Sequence, residues 1–454
     1  RWHVISAITG TGSQNALYVQ DLGDPQKPNL KAPVIKVVEE FESQYTLVGS
    51  EGDSLFVFTN NQAPLGRVVG INMKAPAAKH WKTVIGESKD TLQHVLMAKR
   101  ELVAVYMHDA TSRVLRYATS GKKIGEIRLP GLGALAATSG VPAISGATDD
   151  TDLFYSFTSY SRPSTNYRVN LATGKSELLQ TPKLNFLPED YITEQVFYTS
   201  KDGTRVPMFV SYKKGLKKSG ATPTMLYGYG GFDISLTPSF SVPNLVWMER
   251  GGILAIPNLR GGGEYGRAWH EAGTLARKQN VFNDFTAAAG YLIANGYTSS
   301  KHLCIQGRSN GGLLVGATLN QHPELFSCAL PGVGVMDMLR YHKFTIGWAW
   351  AEDYGTSDTA EGFKYLYPYS PVHNVKYGTK YPAVLVTTAD HDDRVVPGHS
   401  FKYAAAMQAA QSGDAPVLIR IDVKAGHGAG KPLSKTIEEF ADMYAFAWHY
   451  TRGE

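Results

Sequence analysis

The chain has 454 residues, of which 43% are hydrophobic and 19% are charged. This composition excludes an intrinsically disordered protein, and the length predicts two or three domains with sizeable cores. The 45 Lys and Arg residues against 40 Asp and Glu residues leave a net charge of +5, and no run of five like charges occurs, so we expect no nucleic-acid partner.

The cysteines and the hydropathy pattern bound the class of protein further. Cys304 and Cys328 each lie in an apolar segment, and two cysteines cannot brace a chain of this length, so we predict buried free thiols. No stretch approaches the roughly 18 consecutive apolar residues of a membrane span, and the first residues lack the pattern of a signal peptide. We therefore expect a soluble protein with no membrane partner.

Residues 1–180 are predicted to be all-β, because short β-type runs alternate with turn clusters. Apolar runs begin at Leu55, Leu102 and Leu153, spaced by 47 and 51 residues, and each is followed by a second run that ends in a turn. A further copy of the second run begins at Leu17. A period of roughly 50 residues is typical of four-stranded β-propeller blades, of which about three and a half fit here. A β-sandwich with coincidental spacing is the alternative.

The character of the sequence changes after residue 180. Residues 181–190 carry two prolines and no periodicity, which predicts a linker. Residues 191–454 begin with a hairpin-like pair and then alternate apolar runs with helical segments. The main helices are predicted at 281–295, 310–321, 399–410 and 434–448. Near-continuous apolar strands separated by helices indicate one large α/β domain with a mostly parallel, doubly covered sheet.

The motif Gly-Arg-Ser-Asn-Gly at 307–311 matches G-x-S-x-G between a predicted strand and a predicted helix. This context is typical of the nucleophile elbow of α/β-hydrolases, where a serine occupies a strained turn and the flanking glycines allow close backbone approach. We therefore predict Ser309 as a nucleophile. The alternative is an ordinary glycine-rich turn.

A serine nucleophile needs a base to remove its proton and an acid to orient that base. In this fold the three residues occur along the chain in the order serine, acid, histidine. After one late strand come Asp390, Asp392 and Asp393, and counting alone does not choose among these carboxylates. After the last strand comes His427, flanked by glycines, which we predict as the base. The alternatives are a solvated loop histidine and a metal site at the aspartates, but no second metal-binding motif accompanies them.

The oxyanion of an acyl transfer needs hydrogen-bond donors. One is expected to be the backbone N–H of Asn310, which follows the nucleophile, and the other should come from the loop after an early strand. That loop, at 227–232, contains three glycines and offers the hydroxyl of Tyr229.

A different glycine motif at 261–266 matches the dinucleotide fingerprint G-x-G-x-x-G, but the acid expected about 20 residues later, Asp284, falls in a predicted helix. We therefore reject a dinucleotide site.

Six ordered motifs resemble the prolyl oligopeptidase family of serine peptidases: YGYGGF, NLRGGGEYGRAWHEAG, GRSNGGLLVGA, GWAWAEDYG, DHDDRVVPGHS and AGHGAGKP. The resemblance covers the whole of the second domain. It implies an α/β-hydrolase domain joined to a seven-bladed propeller, and the repeats before residue 180 fit that propeller in period and position.

The resemblance also implies roles for individual residues. It implies Ser309 as nucleophile, His427 as base and Asp392 as acid, with the Tyr229 hydroxyl and the Asn310 N–H as oxyanion donors. In the substrate site it implies that Trp350 stacks on a proline ring, that Phe232, Val335, Tyr354 and Val395 line the pocket, and that Arg394 holds a substrate carbonyl. The implied activity is hydrolysis of short peptides on the carboxyl side of proline through an acyl-enzyme, with no metal or cofactor.

Other functions are kept as alternatives. A related oligopeptidase specific for basic or acyl-aminoacyl substrates would share the triad, and a carboxylesterase or lipase would share it without the propeller. A non-catalytic binding module predicts a missing triad member, and none is missing.

The start of the chain departs from the family pattern. Family members carry an N-terminal segment and first propeller blades ahead of the part that matches here, so we expect these residues to be the later part of a longer chain. We expect a monomer, associated with that N-terminal portion, in the cytoplasm, with the periplasm as the alternative compartment.

Overall fold

The computed structural model describes residues 1–9, 13–138, 141–428 and 430–452. These residues form two compact units. The first comprises Arg1–Ser159, Pro163–Lys183 and Tyr265–Ala268, and the second comprises Tyr160–Arg162, Leu184–Glu264 and Trp269–Glu454, within the described ranges.

The first unit consists of successive antiparallel sheets. The first sheet contains β1 (Trp2–Ile8), β2 (Asn15–Asp21) and β3 (Val34–Val38). The second contains β4 (Tyr45–Glu51), β5 (Ser54–Thr59), β6 (Arg67–Asn72) and β7 (Lys82–Ile85), and the third contains β8 (Thr91–Ala98), β9 (Glu101–His108), β10 (Thr111–Ala118) and β11 (Lys123–Ile127). Short strands follow at β12 (Ala134–Leu135), β13 (Ala137–Thr138), β14 (Val141–Pro142) and β15 (Ile144–Gly146). The last sheet is built around β16 (Asp152–Thr158), β17 (Thr165–Asn170) and β18 (Ser176–Gln180).

The repeated apolar runs are the central strands of these sheets. The runs that begin near Leu55, Leu102 and Leu153 are β5, β9 and β16, and the second runs are β6, β10 and β17. Two of these strands, β5 and β9, bury side chains on both faces, because their sheets pack against neighbours on either side. Phe56 of the second sheet and Leu102 of the third, for example, share one buried cluster. Stacked four-stranded sheets of this kind are the packing that propeller blades require.

The second unit is built on one eight-stranded sheet. Its strands are β19 (Tyr191–Thr199), β20 (Arg205–Lys213), β21 (Thr224–Tyr227), β22 (Ile253–Pro257), β23 (Leu303–Arg308), β24 (Cys328–Gly332), β25 (Ala383–Ala389) and β26 (Val417–Asp422). Their order in the sheet is β19-β20-β22-β21-β23-β24-β25-β26. Only the pairs β19–β20 and β20–β22 are antiparallel, so the sheet is mostly parallel, as predicted.

Helices connect these strands. The α-helices are α1 (Val242–Glu249), α2 (Arg267–Glu271), α3 (Gln279–Ala294), α4 (Asn310–Gln321), α5 (Ala351–Tyr354), α6 (Ala360–Leu366), α7 (Gly398–Ala410) and α8 (Leu433–Thr451). The first unit contains the 3₁₀ helix Ala78–His80, and the second contains the 3₁₀ helices Pro188–Asp190, Leu275–Arg277, Pro323–Leu325, Tyr341–Lys343, Gly347–Trp350, Tyr367–Tyr369 and Pro371–His373. The four main predicted helices are confirmed as α3, α4, α7 and α8. The short helices were not predicted, because their sequences show no clear apolar period. No helix in the described ranges is long and apolar enough to cross a lipid bilayer.

The prediction of two free thiols is wrong. Cys304 on β23 and Cys328 on β24 lie directly opposite each other in adjacent parallel strands, with their Cα atoms 4.7 Å apart, and the structure joins their sulfurs in a disulfide. The two residues are 24 positions apart in the chain, so their pairing depends on which strands become neighbours in the sheet.

Candidate active site

Every segment predicted to carry a site residue follows a parallel strand of the second unit. The loop with Tyr229 follows β21, Ser309 follows β23, Asp392 follows β25 and His427 follows β26. Since these strands are parallel, their carboxyl ends lie at one edge of the sheet, which is where ligands bind in open α/β sheets.

Ser309 occupies the turn between β23 and α4 in a strained conformation. Its φ is +57° and its ψ is −117°, a region that residues with a side chain rarely adopt. Glycines make the turn possible, because a Cβ on Gly307 would lie 2.3 Å from the carbonyl oxygen of Gly311, and a Cβ on Gly311 would lie 2.6 Å from that of Gly228. The Ser309 N–H donates to the Gly332 carbonyl at 2.9 Å, which fixes the turn against β24.

Asn310, the first residue of α4, joins three parts of the site. Its side-chain Nδ2 donates to the Tyr229 carbonyl at 2.6 Å, and its Oδ1 accepts from the Tyr354 hydroxyl at 2.8 Å. The G-x-S-x-G pattern predicts a role for the Asn310 backbone only, so the bridging amide is a feature that sequence reasoning missed. It places the glycine-rich loop, the serine turn and the pocket residue Tyr354 beside one another.

Of the three candidate carboxylates, Asp392 lies against the histidine. The Asp392 Oδ2 is 2.7 Å from His427 Nδ1, and Asp392 is only 2% exposed. Its other oxygen accepts the backbone N–H groups of Arg394 at 3.0 Å and Val395 at 2.8 Å. These bonds hold the carboxylate in place while it orients the imidazole ring.

The two neighbouring aspartates are placed differently. Asp390 Oδ1 lies 2.7 Å from the ring of His391, and Asp393 is exposed. Among the described residues no three His, Cys, Asp or Glu side chains are grouped as a metal site would need.

Tyr229 is mostly enclosed at the carboxyl end of β21. Burial raises the pKa of its phenol well above the ordinary value, while the charge of Arg394 acts in the opposite direction. Tyrosine is ordinarily protonated at neutral pH, and burial extends the protonated range to higher pH, so the hydroxyl can donate a hydrogen bond.

The predicted pocket residues form an aromatic group. The Phe232 ring meets Tyr354 edge-on at 5.3 Å, Tyr354 meets Tyr341 edge-on at 5.2 Å, and Tyr341 stacks on Trp350 at 6.2 Å. Tyr341 was not predicted, because it lies in an irregular segment without periodicity. Tyr354 is fully buried and Trp350 is half-buried.

The two valines predicted for the pocket, Val335 and Val395, are buried in the same apolar core cluster as Tyr354, and Phe232 and Trp350 pack against that cluster. This cluster is the large core of the second unit, so the ring contacts join Phe232, Tyr354 and Trp350 through Tyr341, while the two valines are shown only as members of the same core. Arg394 lies outside it, with an exposed side chain.

A second group of residues that the sequence did not predict lies beside the serine turn. Arg308 Nη1 donates to Glu439 Oε1 on α8 at 2.6 Å, and Lys431 Nζ donates to the other oxygen at 2.7 Å. Lys431 also pairs with Asp422, the last residue of β26. A Cβ on Gly428 would lie 3.9 Å from Arg308 Nη2, so the loop that carries His427 lies beside the residue that precedes Ser309.

Replacing Glu439 by Gln is expected to lower the free energy of unfolding by about 2–3 kcal/mol, since breaking a buried ion pair costs about 3–5 kcal/mol and Arg308 is partly solvated. Burial opposes the charge on Glu439, but Arg308 and Lys431 outweigh it and lower the pKa of the carboxyl. The stabilisation is therefore present above the ordinary pKa of glutamate and is lost as the pH falls through the folded-state pKa. Urea titrations at several pH values measure both effects.

The matched control for this substitution is Glu177→Gln, which removes an exposed partner of Arg168. It should change the stability by no more than about 0.5 kcal/mol. Equal losses in the two variants would contradict the importance of the buried group.

Asp284, considered above for a dinucleotide site, is used elsewhere. It is fully buried on α3 and accepts two hydrogen bonds from the Arg260 guanidinium, at 2.6 and 3.0 Å, and one from the Ser200 hydroxyl at 2.5 Å. A carboxylate engaged in this way does not project toward a ribose.

Comparison with known proteins assigns both parts of the chain to one family. The model described as "Prolyl oligopeptidase, N-terminal beta-propeller domain" matches residues 1–182, and that described as "Prolyl oligopeptidase family" matches residues 238–454. The prolyl endopeptidase of Elizabethkingia meningoseptica is 51% identical over 448 residues, which are 98% of this chain and 62% of that protein. The prolyl endopeptidase of Dictyostelium discoideum is 40% identical, over 97% of this chain and 60% of that protein.

Solved structures agree with these matches. A prolyl endopeptidase from a study of inter-domain dynamics superposes with a TM-score of 0.92 at 41% identity, covering 100% of this chain and 65% of the other. Prolyl oligopeptidase B of Galerina marginata, bound to a 35-residue substrate, gives a TM-score of 0.92 at 34% identity and covers 100% and 64%. Structures of that protein with bound substrate carry alanine in place of a serine, an aspartate or a histidine.

The chain thus spans about three fifths of the length of the curated relatives it matches, at 62% and 60%. The predicted combination of an α/β-hydrolase domain with part of a β-propeller is confirmed by the two family models and by the sheets described above. The chain belongs to the prolyl oligopeptidase family.

Proposed function

We propose that this chain carries the active site of a serine endopeptidase that hydrolyses short peptides on the carboxyl side of proline. The observation that carries the proposal is the hydrogen bond between Asp392 and His427, at the same sheet edge as Ser309 in its strained turn. We further propose that the catalytic domain occupies residues 191–454, after part of a propeller at 1–180 and a linker at 181–190.

The proposed reaction has two halves. In the first, Ser309 Oγ attacks the carbonyl carbon of the proline residue while His427 Nε2 takes the hydroxyl proton. The tetrahedral intermediate collapses, the C–N bond breaks, and the proton passes from His427 to the leaving amine. In the second half, His427 takes a proton from water while the water oxygen attacks the acyl carbon. The ester bond between that carbon and Ser309 Oγ then breaks, the peptide leaves with a C-terminal proline carboxyl group, and the proton passes from His427 to Ser309 Oγ. Asp392 keeps the imidazole in the required tautomer and stabilises its charged form.

Two donors are proposed to stabilise the oxyanion. The N–H of Asn310 lies at the positive end of the α4 dipole, and the Tyr229 hydroxyl is protonated at neutral pH, as tyrosine ordinarily is, so it can donate. Both donors act on the charge that develops in the transition state, so they should affect turnover more than substrate binding.

Replacing Tyr229 by Phe is expected to lower kcat by about 10²–10³ with little change in KM, because one oxyanion donor is lost. Steady-state hydrolysis of a chromogenic proline peptide measures both constants. Tyr227→Phe on the same strand end is the matched control, and we expect it to leave kcat within about threefold. A rise in KM with unchanged kcat would instead assign Tyr229 to substrate binding.

The proposed specificity for proline rests on the uncharged pocket. Trp350 is half-buried and can offer its indole face to a flat pyrrolidine ring, while Phe232 and Tyr354 supply apolar walls. No carboxylate is among the predicted wall residues, so a substrate with a basic side chain would leave its charge unpaired. The guanidinium of Arg394 is exposed and is proposed to hold a peptide carbonyl. The restriction to short peptides rests on membership of the family.

Hydrolysis of matched chromogenic peptides that end in Pro, Arg or Ala tests this function. We expect kcat/KM for the proline peptide to exceed that for the other two by at least about tenfold. Preference for Arg would indicate a related oligopeptidase of other specificity, and preference for a simple ester over all peptides would indicate a carboxylesterase. Either outcome would overturn the proposal.

A further inference from the structure

The loop that carries Tyr229 is held by side chains from three separate elements. The Tyr229 carbonyl accepts from Asn310, as described above. The carbonyl of the next residue, Gly230, accepts from Lys278 Nζ at 2.9 Å, and the N–H of Phe232 donates to Asp353 Oδ2 at 2.9 Å. Three main-chain groups within four consecutive residues are therefore fixed by distant side chains.

Lys278 is an unusual residue to find in this position. It lies immediately before α3, is only 1% exposed, and its ammonium is 5.3 Å from the centre of the Tyr354 ring. Burial lowers the pKa of the ammonium to about 8, although the charge of Asp353 opposes this change. A buried lysine is costly unless it is hydrogen-bonded and balanced by a counter-charge. Here the Gly230 carbonyl supplies the hydrogen bond and Asp353 supplies the charge.

Asp353 connects the same loop to a second basic group. It is 3% exposed and lies on α5, and its Oδ1 is 2.7 Å from His270 Nε2 while its Oδ2 accepts the Phe232 N–H. Burial opposes ionisation, but His270 and Lys278 outweigh it and lower the pKa of the Asp353 carboxyl. Asp353 is therefore a carboxylate that balances both cations. It also adjoins Tyr354 in the chain, so the loop and the aromatic pocket share this anchor.

The loop would not keep its shape without such anchors. Phe232 and Asp233 have φ values of +57° and +58°, so two consecutive residues with side chains adopt the left-handed conformation. Such conformations persist only where the surroundings determine them. Gly230 itself has φ +64°, and a Cβ there would lie 2.3 Å from Val281 Cγ1, so the loop is also closely packed against α3.

We propose that Lys278 and Asp353 are positioning residues for the oxyanion site. They hold the main chain of 230–232 so that the Tyr229 hydroxyl points at the developing oxyanion. This inference rests on the proposed peptidase function. The two residues do not touch the substrate. They act on the rate through Tyr229, which separates their role from general support of the fold.

A double-mutant cycle with Tyr229 tests this role. The assay uses the form of the protein that hydrolyses the proline peptide, which is either this chain or a longer one that contains it. Lys278→Met, which keeps the length of the side chain but removes the donor, should lower kcat about 10- to 100-fold and leave KM within about threefold. In the Tyr229→Phe background the same substitution should lower kcat by less than about threefold, because the donor that it positions is already absent. Equal losses in the two backgrounds would overturn the proposal.

Inhibitor binding provides a readout that general destabilisation would not move. A proline peptide aldehyde forms a hemiacetal with Ser309 and places an oxyanion in the site, whereas the corresponding alcohol does not. Lys278→Met should weaken binding of the aldehyde about 10-fold or more and leave binding of the alcohol unchanged. Equal weakening of both inhibitors would contradict a role in the oxyanion site.

Folding and catalytic failure are separated by further variants. The exposed Lys301→Met is the matched control and should leave kcat and thermal unfolding unchanged. If Lys278→Met does not fold, Asp353→Asn keeps an acceptor for the Phe232 N–H, removes the counter-charge, and should show the same selective loss for the aldehyde. Loss of the folded state in both variants would assign the group to stability alone and overturn the proposal. Absence of hydrolysis by the unmodified enzyme would instead count against the proposed function.

Discussion

Replacement of Ser309 by Ala is expected to lower kcat for a proline peptide by about 10⁶-fold, because the remaining side chains supply no nucleophile for an acyl-enzyme. The pocket residues are untouched, so the peptide should still bind with its original affinity. Stopped-flow hydrolysis measures the first effect, and titration calorimetry with the same peptide measures the second.

Two results would contradict this expectation. Hydrolysis that survives the substitution would assign the chemistry to another group, and loss of both binding and folding would show that the strained turn needs more than a small side chain. Alanine is well suited to the test, because Ser309 already tolerates a Cβ at φ +57°. A phosphonylating reagent provides an independent check, since it should add to the unmodified enzyme and leave the variant unlabelled.

Asp392→Asn should produce the second large effect, a loss of about 10⁴-fold in kcat. The amide has the size of the carboxylate, but it can donate to His427 and favour the tautomer that cannot accept the serine proton. The carboxylate also accepts the N–H groups of Arg394 and Val395, and one amide oxygen can keep those bonds, so the loop should stay folded. Single-turnover kinetics with a chromogenic peptide measure the loss.

Asp393→Asn is the matched control for this experiment. Asp393 is exposed and adjoins the acid in the chain, and we expect its substitution to change kcat by less than about threefold. A large loss of kcat at Asp393 with a small loss at Asp392 would show that Asp393, and not Asp392, is the acid.

The parts of the fold that local patterns determine were predictable. The strands of the sheet are continuous apolar runs, and helices such as α3 and α8 have a clear period, so their positions follow from side-chain burial within a few consecutive turns. The turn around Ser309 was also predictable, because the G-x-S-x-G pattern lies within five consecutive residues, although one of its glycines, Gly311, is required by contact with the distant Gly228. In each case the pattern that predicts the element is contained in a short stretch of the chain.

The parts that depend on distant contacts were not predictable in the same way. Choosing Asp392 from three neighbouring aspartates needs the geometry of a loop 35 residues away from it in the chain, and the residues alone left that choice open. Lys278 meets Gly230 across 48 residues, and Arg308 meets Glu439 across 131 residues. A single lysine or arginine in an otherwise ordinary segment carries no pattern that identifies its partner. The prediction of free thiols at Cys304 and Cys328 was wrong for the same reason, since their pairing follows from the order of strands in the sheet.

The bridging amide of Asn310 has a consequence for any attempt to change the proposed specificity. Tyr354 donates to Asn310, and Asn310 in turn holds the carbonyl of Tyr229. The side chain predicted to line the pocket and the side chain proposed to stabilise the transition state are therefore connected through one amide. Enlarging the pocket at Tyr354 would therefore release the Asn310 amide and slow the reaction for every substrate, including the intended one. The side chain of Val335 takes no part in these hydrogen bonds, so a substitution there would leave the link between Tyr354, Asn310 and Tyr229 in place.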